Sequence, residues 1–294
     1  MAQFKSGFVN IIGFPNAGKS TLINHLVKEK ISIVTRKPQT TRLRVLGIVN
    51  GENYQIVFSD TPGILEPHYE LQQSMMVSVN QALSDADVIL FIIDITESIH
   101  KHLEFLEKII NLNVPFITLL NKADLVTEEE LNAKVEAWKG HLPAGKTIII
   151  SALHGFNTGL VLDDIIELLP EGEAFYPEDM LTDKSEKFLA SELIREQIFI
   201  HYKEEIPYST EVIVTDFNDT PDILRIKSEI YVNRESQKPI LIGKGGSALK
   251  LIGTEARLEM EKFFKKKVFL EIFVKVRENW RDKKLYLKQF GYNS

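Results

Sequence analysis

Residues 13–20 read Gly-Phe-Pro-Asn-Ala-Gly-Lys-Ser, directly after the apolar run Phe8 to Ile12 and at the head of a segment patterned as a helix beginning near Lys19. A glycine-rich turn of this kind lets successive backbone N–H groups converge on one point, and the positive end of the helix dipole adds to them. It also requires a buried strand and a helix to lie side by side. The chain up to residue 170 agrees: the β-rich runs Tyr54 to Ser59, Val88 to Asp94, Phe116 to Asn121 and Thr147 to Ser151 alternate with longer helical patterns. The alternation predicts an α/β domain with a mostly parallel sheet covered on both faces. Each run ends in a polar or glycine-containing stretch, and sheets of this type bind ligands at the carboxyl ends of their strands.

Those stretches carry chemistry. Gly13, Phe14, Pro15, Asn16, Ala17, Gly18, Lys19, Ser20 and Thr21 form a phosphate-loop pattern, with Lys19 to neutralise phosphate charge and Ser20 to offer a hydroxyl to magnesium. Asp60-Thr-Pro-Gly63 follows a strand, where a carboxylate can hold magnesium through water and the Gly63 N–H can meet a γ-phosphate. Asn121-Lys-Ala-Asp124 can select a base: an ionised Asp124 accepts from the N1–H and the amino group of guanine, which adenine cannot supply. Buried groups left unpaired by the wrong base cost about 1–3 kcal/mol each. Asn121 can tie this stretch to the phosphate loop and the Lys122 stem can cover the ring. In Ser151-Ala152-Leu153, the Ala152 N–H can reach the guanine carbonyl. Taken singly, most of these are ordinary strand-end turns; their order along the chain is what carries the reading.

In that order they resemble the translation-factor-like class of P-loop GTPases, over residues 7–170. The resemblance implies GTP hydrolysis with magnesium bound along with the nucleotide. It also implies a threonine completing the magnesium shell, matched in Pro38-Gln-Thr-Thr-Arg42 by Thr41, with Thr40 as the alternative; Ser20, Thr41 and Asp60 are then the metal residues. Ile64 stands where many small GTPases carry the glutamine that orients the attacking water, which excludes catalysis by that device. GTPases with a hydrophobic residue there are associated with potassium beside the β/γ bridge, held by a phosphate-loop asparagine that Asn16 matches. The candidate catalytic set is Asn16, Lys19, Thr41 and Gly63, and potassium is a candidate second cation.

The 294-residue chain has no cysteine and carries a net charge of -6. The absence of cysteine excludes disulfides and thiolate zinc sites. The longest apolar runs fall far short of the roughly 20 residues of a membrane helix, and the N-terminus, lacking a cleavage pattern, reads as a buried first strand. Residues 1–184 hold 15 basic and 24 acidic side chains, whereas from Lys238 onward the count is 14 against 6. A basic end on an acidic chain suits a polyanionic partner, although a solvated helix end around Lys265 to Lys267 would read alike.

Leu169 to Asp183, with Pro170, Gly172 and Pro177, reads as a linker, giving a nucleotide domain over 1–170, a linker over 171–184 and a second domain over 185–294. In the second domain a helix (Lys187 to Lys203), two strands (Glu211 to Phe217, Ile223 to Val232), an apolar turn (Pro239 to Gly246), a helix (Ala248 to Phe264) and a strand (Val268 to Val276) are expected. Gly243-Lys244-Gly245-Gly246 at the entry to that helix resembles the GXXG loop of a type II KH domain. The resemblance implies RNA binding through Ile242, Gly243, Lys244, Gly245, Gly246 and Lys250.

A P-loop GTPase followed by such a module, with Glu192-Leu-Ile-Arg-Glu196 and Glu205-Ile-Pro-Tyr-Ser209 between them, resembles the Era family of bacterial ribosome-assembly GTPases over nearly the whole chain. That resemblance implies binding to the 3′ region of 16S rRNA, a role in 30S subunit maturation and peripheral association with the inner membrane. The lack of cysteine fits a cytoplasmic protein, and no heptad or exposed edge pattern in the sequence demands more than a monomer. The basic stretch Trp280 to Phe290 either serves that membrane association or caps the domain. Two alternatives stand beside it. A plain RNA-binding protein with GTP as structural ligand is disfavoured by the intact Lys19, Ser20, Thr41 and Asp60. A GTPase acting on tRNA or on a membrane partner is disfavoured by the glycine loop and by the lack of a cysteine-bearing modification domain.

Overall fold

Parallel strands buried on both faces need long apolar stretches, and the run Val88 to Asp94 is buried along its whole length. The computed structural model describes residues 3–142 and 146–292. They divide into two compact units: one from the residues up to Ser32, Thr41–Leu65 and Ser78–Asp183, the other from Ile33–Thr40, Glu66–Val77 and the residues from Lys184 on.

The first unit is built on a six-stranded sheet of β1 (Lys5–Ile12), β2 (Val45–Gly51), β3 (Tyr54–Asp60), β4 (Val88–Asp94), β5 (Phe116–Asn121) and β6 (Lys146–Ile149). Its order is β2-β3-β1-β4-β5-β6, parallel throughout except for the antiparallel pair β2 and β3. The helices of this part of the chain are α1 (Lys19–Val27), α2 (Glu70–Ser84), α3 (His100–Ile110), α4 (Glu128–Lys139) and α5 (Thr158–Leu168). The start of α4 is fixed by a capping box in which Thr127 and Glu130 each bond the other's backbone N–H, a device that satisfies two otherwise orphaned donors. Ile11 pairs with Asp60 and Asp94 with Asn121 across the sheet, so the motif-bearing ends of β1, β3 and β5 lie at one edge of the sheet. Strand β2 was not anticipated from the sequence. It runs into β3 through a tight hairpin at Glu52 and Asn53, a central pair without the glycine that usually announces such a turn.

Residues 170–183 form neither helix nor long ladder, yet they are fastened to the first unit along their length. Ser6 N donates to Pro170 O and Ile48 N to Leu181 O, Gln55 Oε1 accepts from the backbone of Phe175 and Tyr176, and Asn50 Nδ2 donates to Glu178 O.

The second unit contains α6 (Glu186–His201), β7 (Thr210–Asp219), β8 (Leu224–Val232), α7 (Gln237–Ile242), α8 (Ser247–Phe264), β9 (Val268–Val276) and α9 (Lys284–Gln289). Its sheet has the order β7-β8-β9, antiparallel between β7 and β8 and parallel between β8 and β9. Strand β8 buries alternate residues from Leu224 to Val232, as a sheet with one covered face must. That face meets Ala190, Ile194 and Ile198 of α6 and Ile252, Ala256 and Met260 of α8 in one apolar core. The apolar stretch expected as a turn, Pro239 to Gly246, is a short helix and a 3₁₀ turn instead; Pro239 lies in the first turn of α7, where its missing N–H leaves no helical bond unmade. In the stretch Trp280 to Phe290, a 3₁₀ turn precedes α9. Trp280 is fully buried there and its Nε1 donates to Ser209 O at 3.1 Å, so this end of the chain closes the unit.

Candidate functional site

From the end of β1 the chain turns through Gly13 to Gly18 into α1. Gly18 has φ +103° and a Cβ there would fall 2.2 Å from Asn121 Nδ2, so only glycine fits. Lys19 is buried and its Nζ donates to the carbonyls of Gly13 and Phe14, each at 2.9 Å. Burial pulls its pKa down to about 8, against the opposing pull of Asp60. Ser20 Oγ donates to Asp60 Oδ2 at 2.7 Å and lies 2.9 Å from Thr41 Oγ1, which in turn donates to Asp60 Oδ2 at 3.2 Å. Asp60 is fully buried and burial raises its pKa, while the bond from Ser20 and the charge of Lys19 lower it. Its other oxygen, Oδ1, makes no well-formed hydrogen bond among the described residues; the buried Ser32 hydroxyl stands near enough to help lower the pKa but is itself unsatisfied.

A buried carboxylate oxygen without a partner is costly, and two hydroxyls beside it make the set one that suits a hard cation or its water. No group of three or more His, Cys, Asp or Glu among the described residues could hold a metal by itself. A cation beside Asp60, Ser20 and Thr41 would take its further oxygens from water and a phosphate ligand, which is how Mg²⁺ is ordinarily bound. Thr40 is differently engaged: its hydroxyl donates to Lys37 O at 2.7 Å. Gly63 lies against Pro15 and Ile64 N donates to Gly13 O at 3.1 Å, which closes the Asp60-to-Gly63 stretch onto the phosphate loop.

Asn121 is the junction of the base-side loops. Its Nδ2 donates to Ala17 O at 2.7 Å and its Oδ1 accepts from Ala152 N at 2.9 Å. Ser151 Oγ donates to Asp124 Oδ1 at 2.5 Å and so orients that carboxylate. Lys122, in the left-handed region with φ 68°, pairs with Asp94 at 2.6 Å. Burial resists ionisation of Asp94, but its bonds from Lys122 and Thr96 outweigh it and hold the pKa below the usual range. Leu153 turns to solvent.

In the second unit, α7 ends at Ile242 and the chain passes through Gly243, Gly245 and Gly246, all with positive φ, into α8. A Cβ on Gly245 or Gly246 would meet nothing within 4 Å, so this backbone is open to whatever approaches it. Lys244 and Lys250 are exposed beside it, as are the apolar Ile240 and Leu251.

The profile of the 50S ribosome-binding GTPase family matches residues 8–122, and that of the KH domain matches residues 205–281. A GTPase Era from Syntrophus aciditrophicus is 44% identical over 294 residues, covering 99% of this chain and 96% of its own. The chain belongs to the Era family of GTPases. The chloroplastic ERA-like GTPase of Oryza sativa subsp. japonica is 42% identical, over 99% of this chain and 70% of its own. Among solved structures, Era in complex with MgGDPNP and nucleotides 1506–1542 of 16S ribosomal RNA aligns with TM-score 0.94 and 42% identity, over 99% of this chain and 100% of that one. A substituted Aquifex aeolicus Era bound to GDP and aluminium fluoride aligns equally, with TM-score 0.94 and 42% identity.

In this Era-family chain the phosphate-loop residues 13–21, Thr41, Asp60 and Gly63 meet at one edge of the sheet, with Asn121, Asp124, Ser151 and Ala152 beside them. Leu153 faces away, and Lys122 is held by Asp94, which sequence reasoning passed over although it ends the strand next to Asn121. Arg195 belongs to none of the nucleotide-binding motifs of the sequence. It sits among Leu193, Ile194 and Ile198 on the buried face of α6, and a charge on an apolar helix face is the signal that could have found it. Its Nη2 donates to Thr40 O and to Glu192, each at 2.5 Å. Burial disfavours its charge, but Glu192 overrides this and keeps it cationic.

Proposed function

We propose that this chain is a GTP-hydrolysing switch that binds the 3′ region of 16S rRNA and assists maturation of the 30S subunit. The observation that carries the reading is the meeting of Ser20, Thr41 and the half-satisfied Asp60 beneath a lysine-bearing phosphate loop, in a chain whose solved relative holds MgGDPNP and that RNA together.

Ser20 and Thr41 would hold Mg²⁺ directly and Asp60 through water. The ion supplies Lewis-acid neutralisation of the phosphate oxygens. Lys19, whose ammonium keeps a third N–H beyond the two given to Gly13 and Phe14, would meet the β- and γ-phosphates, and the Gly63 N–H orients the γ-phosphate. Asp124, oriented by Ser151, reads guanine, and the Ala152 N–H meets its carbonyl. Ile64 offers no hydrogen bond to the attacking water, so catalysis rests on positioning and charge stabilisation, with potassium held near Asn16 as part of this reading. The open glycine backbone, with Lys244 and Lys250, holds the RNA chain, and Ile242 with its apolar neighbours receives unstacked bases. The working form is a cytoplasmic monomer; peripheral attachment to the inner membrane rests on the family resemblance.

The test is GTP hydrolysis in potassium and in sodium buffer, with and without an oligonucleotide of the 16S 3′ end. Hydrolysis is expected to be faster in potassium, to respond to the RNA, and to lose that response in Gly245→Asp with RNA-free turnover kept. Equal rates in both cations, unchanged by Asn16→Asp, would remove potassium; indifference to the RNA would remove the partner.

A further inference from the structure

Residues Ile33–Thr40 belong to the second unit and are fastened along α6 at three points. Val34 N donates to Glu196 Oε1 at 3.2 Å and Arg195 Nη2 to Thr40 O at 2.5 Å. Lys37 Nζ donates to the carbonyls of Phe199 and Tyr202. The last carbonyls of a helix lack intrahelical partners and carry the negative end of its dipole, so a lysine there both caps α6 and anchors the segment. Partial burial at this contact, with the neighbouring charge of Lys203, lowers the pKa of Lys37. Tyr202 faces two ways. Its carbonyl takes Lys37, and its hydroxyl donates to Leu241 O at 2.5 Å. Leu241 is fully buried, in the last turn of α7, two residues before Gly243.

We infer that Lys37 and Tyr202 are positioning residues that join the glycine loop at 243–246 to Thr41, so that RNA seated on the loop and the state of the nucleotide site set one another. The inference rests on the functional reading above and names the regulation of those same two sites. The connection runs from Leu241 through the Tyr202 side chain to the carboxyl end of α6, from there through Lys37 to residues 37–40, and by one peptide bond from Thr40 to Thr41. Thr41 Oγ1 lies 2.9 Å from Ser20 Oγ and 3.2 Å from Asp60 Oδ2, distances that a shift of about an ångström takes out of hydrogen-bond range. Tyr69 gives the segment a further hold: its hydroxyl donates to Gln39 Oε1 at 2.9 Å, and the Arg281 guanidinium lies 4.7 Å over its ring. Coupling between two binding sites is reciprocal, and is commonly worth about 5–150-fold in affinity.

The test uses the full chain. The Kd for the 16S 3′ oligonucleotide is measured with GDP and with a non-hydrolysable GTP analogue, in the wild type, Tyr202→Phe, Lys37→Met and the double variant. Affinity for nucleotide, basal hydrolysis and melting temperature are followed in parallel. The wild-type ratio of the two Kd values is expected to be at least about fivefold. Each single variant should bring it close to one, and the double variant should lose no more than either single, since both act on one connection. RNA affinity with GDP should stay within about twofold of the wild type and the melting temperature should be kept, a separation that general loss of structure would not produce. If Tyr202→Phe melts early, Lys37→Met carries the test. A ratio preserved in both single variants, or a wild-type ratio of one, overturns the link and leaves the functional reading standing. Absence of RNA binding by the wild type overturns both.

Discussion

Lys19 meets phosphate with an ammonium that burial has already brought down to a pKa of about 8. Nucleotide phosphates will raise that value, so above about pH 8 binding takes up a proton, and below it the lysine is already charged. GTP affinity should therefore be level on the acid side of pH 8 and fall on the alkaline side, approaching about tenfold per pH unit. Titration calorimetry across that range checks it, and a level profile through pH 9.5 would contradict it. Asp124 allows a test of base reading at the same scale. Asp124→Asn replaces one acceptor oxygen with a donor, which opposes the guanine amide and suits the carbonyl that xanthine presents. GTP affinity should drop by about two orders of magnitude and XTP should bind instead, as competition with a fluorescent nucleotide would read.

Elements differed in how plainly the sequence announced them, for physical reasons. Strand β4 is a continuous apolar run up to Asp94 and β5 is broken only by the small, β-branched Thr118, so both read plainly as strands buried on two faces. Strand β2 is half-exposed and interrupted by Gly47, so neither alternation nor an unbroken run marked it. The motif residues were legible because each needs a particular backbone or donor at a strand end. The pairings of Arg195 and Lys37 were not, because each reaches a distant backbone carbonyl: Arg195 stands out as a charge on an apolar helix face, but Thr40 is 155 positions away, and no side-chain pattern names that partner. Helix α8 shows what its patterned face contributes. Met260 is fully buried in the core shared with α6 and the sheet, and Met260→Ala should cost about 2–5 kcal/mol. Thermal unfolding of the variant is expected to show the loss, with GTP binding by the first unit unaltered; an unchanged melting temperature would mean that the core closes around the gap.

At the scale of the whole molecule, two chemically distinct sites lie on two units that the chain enters more than once, since Ile33–Thr40 and Glu66–Val77 leave the first unit and return to it. Cutting the gene at an apparent linker therefore does not give two independent proteins, and a fragment ending at residue 170 illustrates the cost. Strand β2 is an outer strand of its sheet, and the row of groups it would present to water is taken up by the passing chain: Leu46 N by Asp183, Ile48 N by Leu181 O, and Gly47 in a bridge with Thr182. Stripped of residues 171–183, the edge becomes a template for another copy of itself. Such a fragment should bind GTP yet associate as concentration rises, whereas one carried through residue 183 should remain a single species in sedimentation. The stretch that reads as a tether in the sequence thus serves as a selvage, the bound margin that keeps a woven sheet from joining to its neighbour.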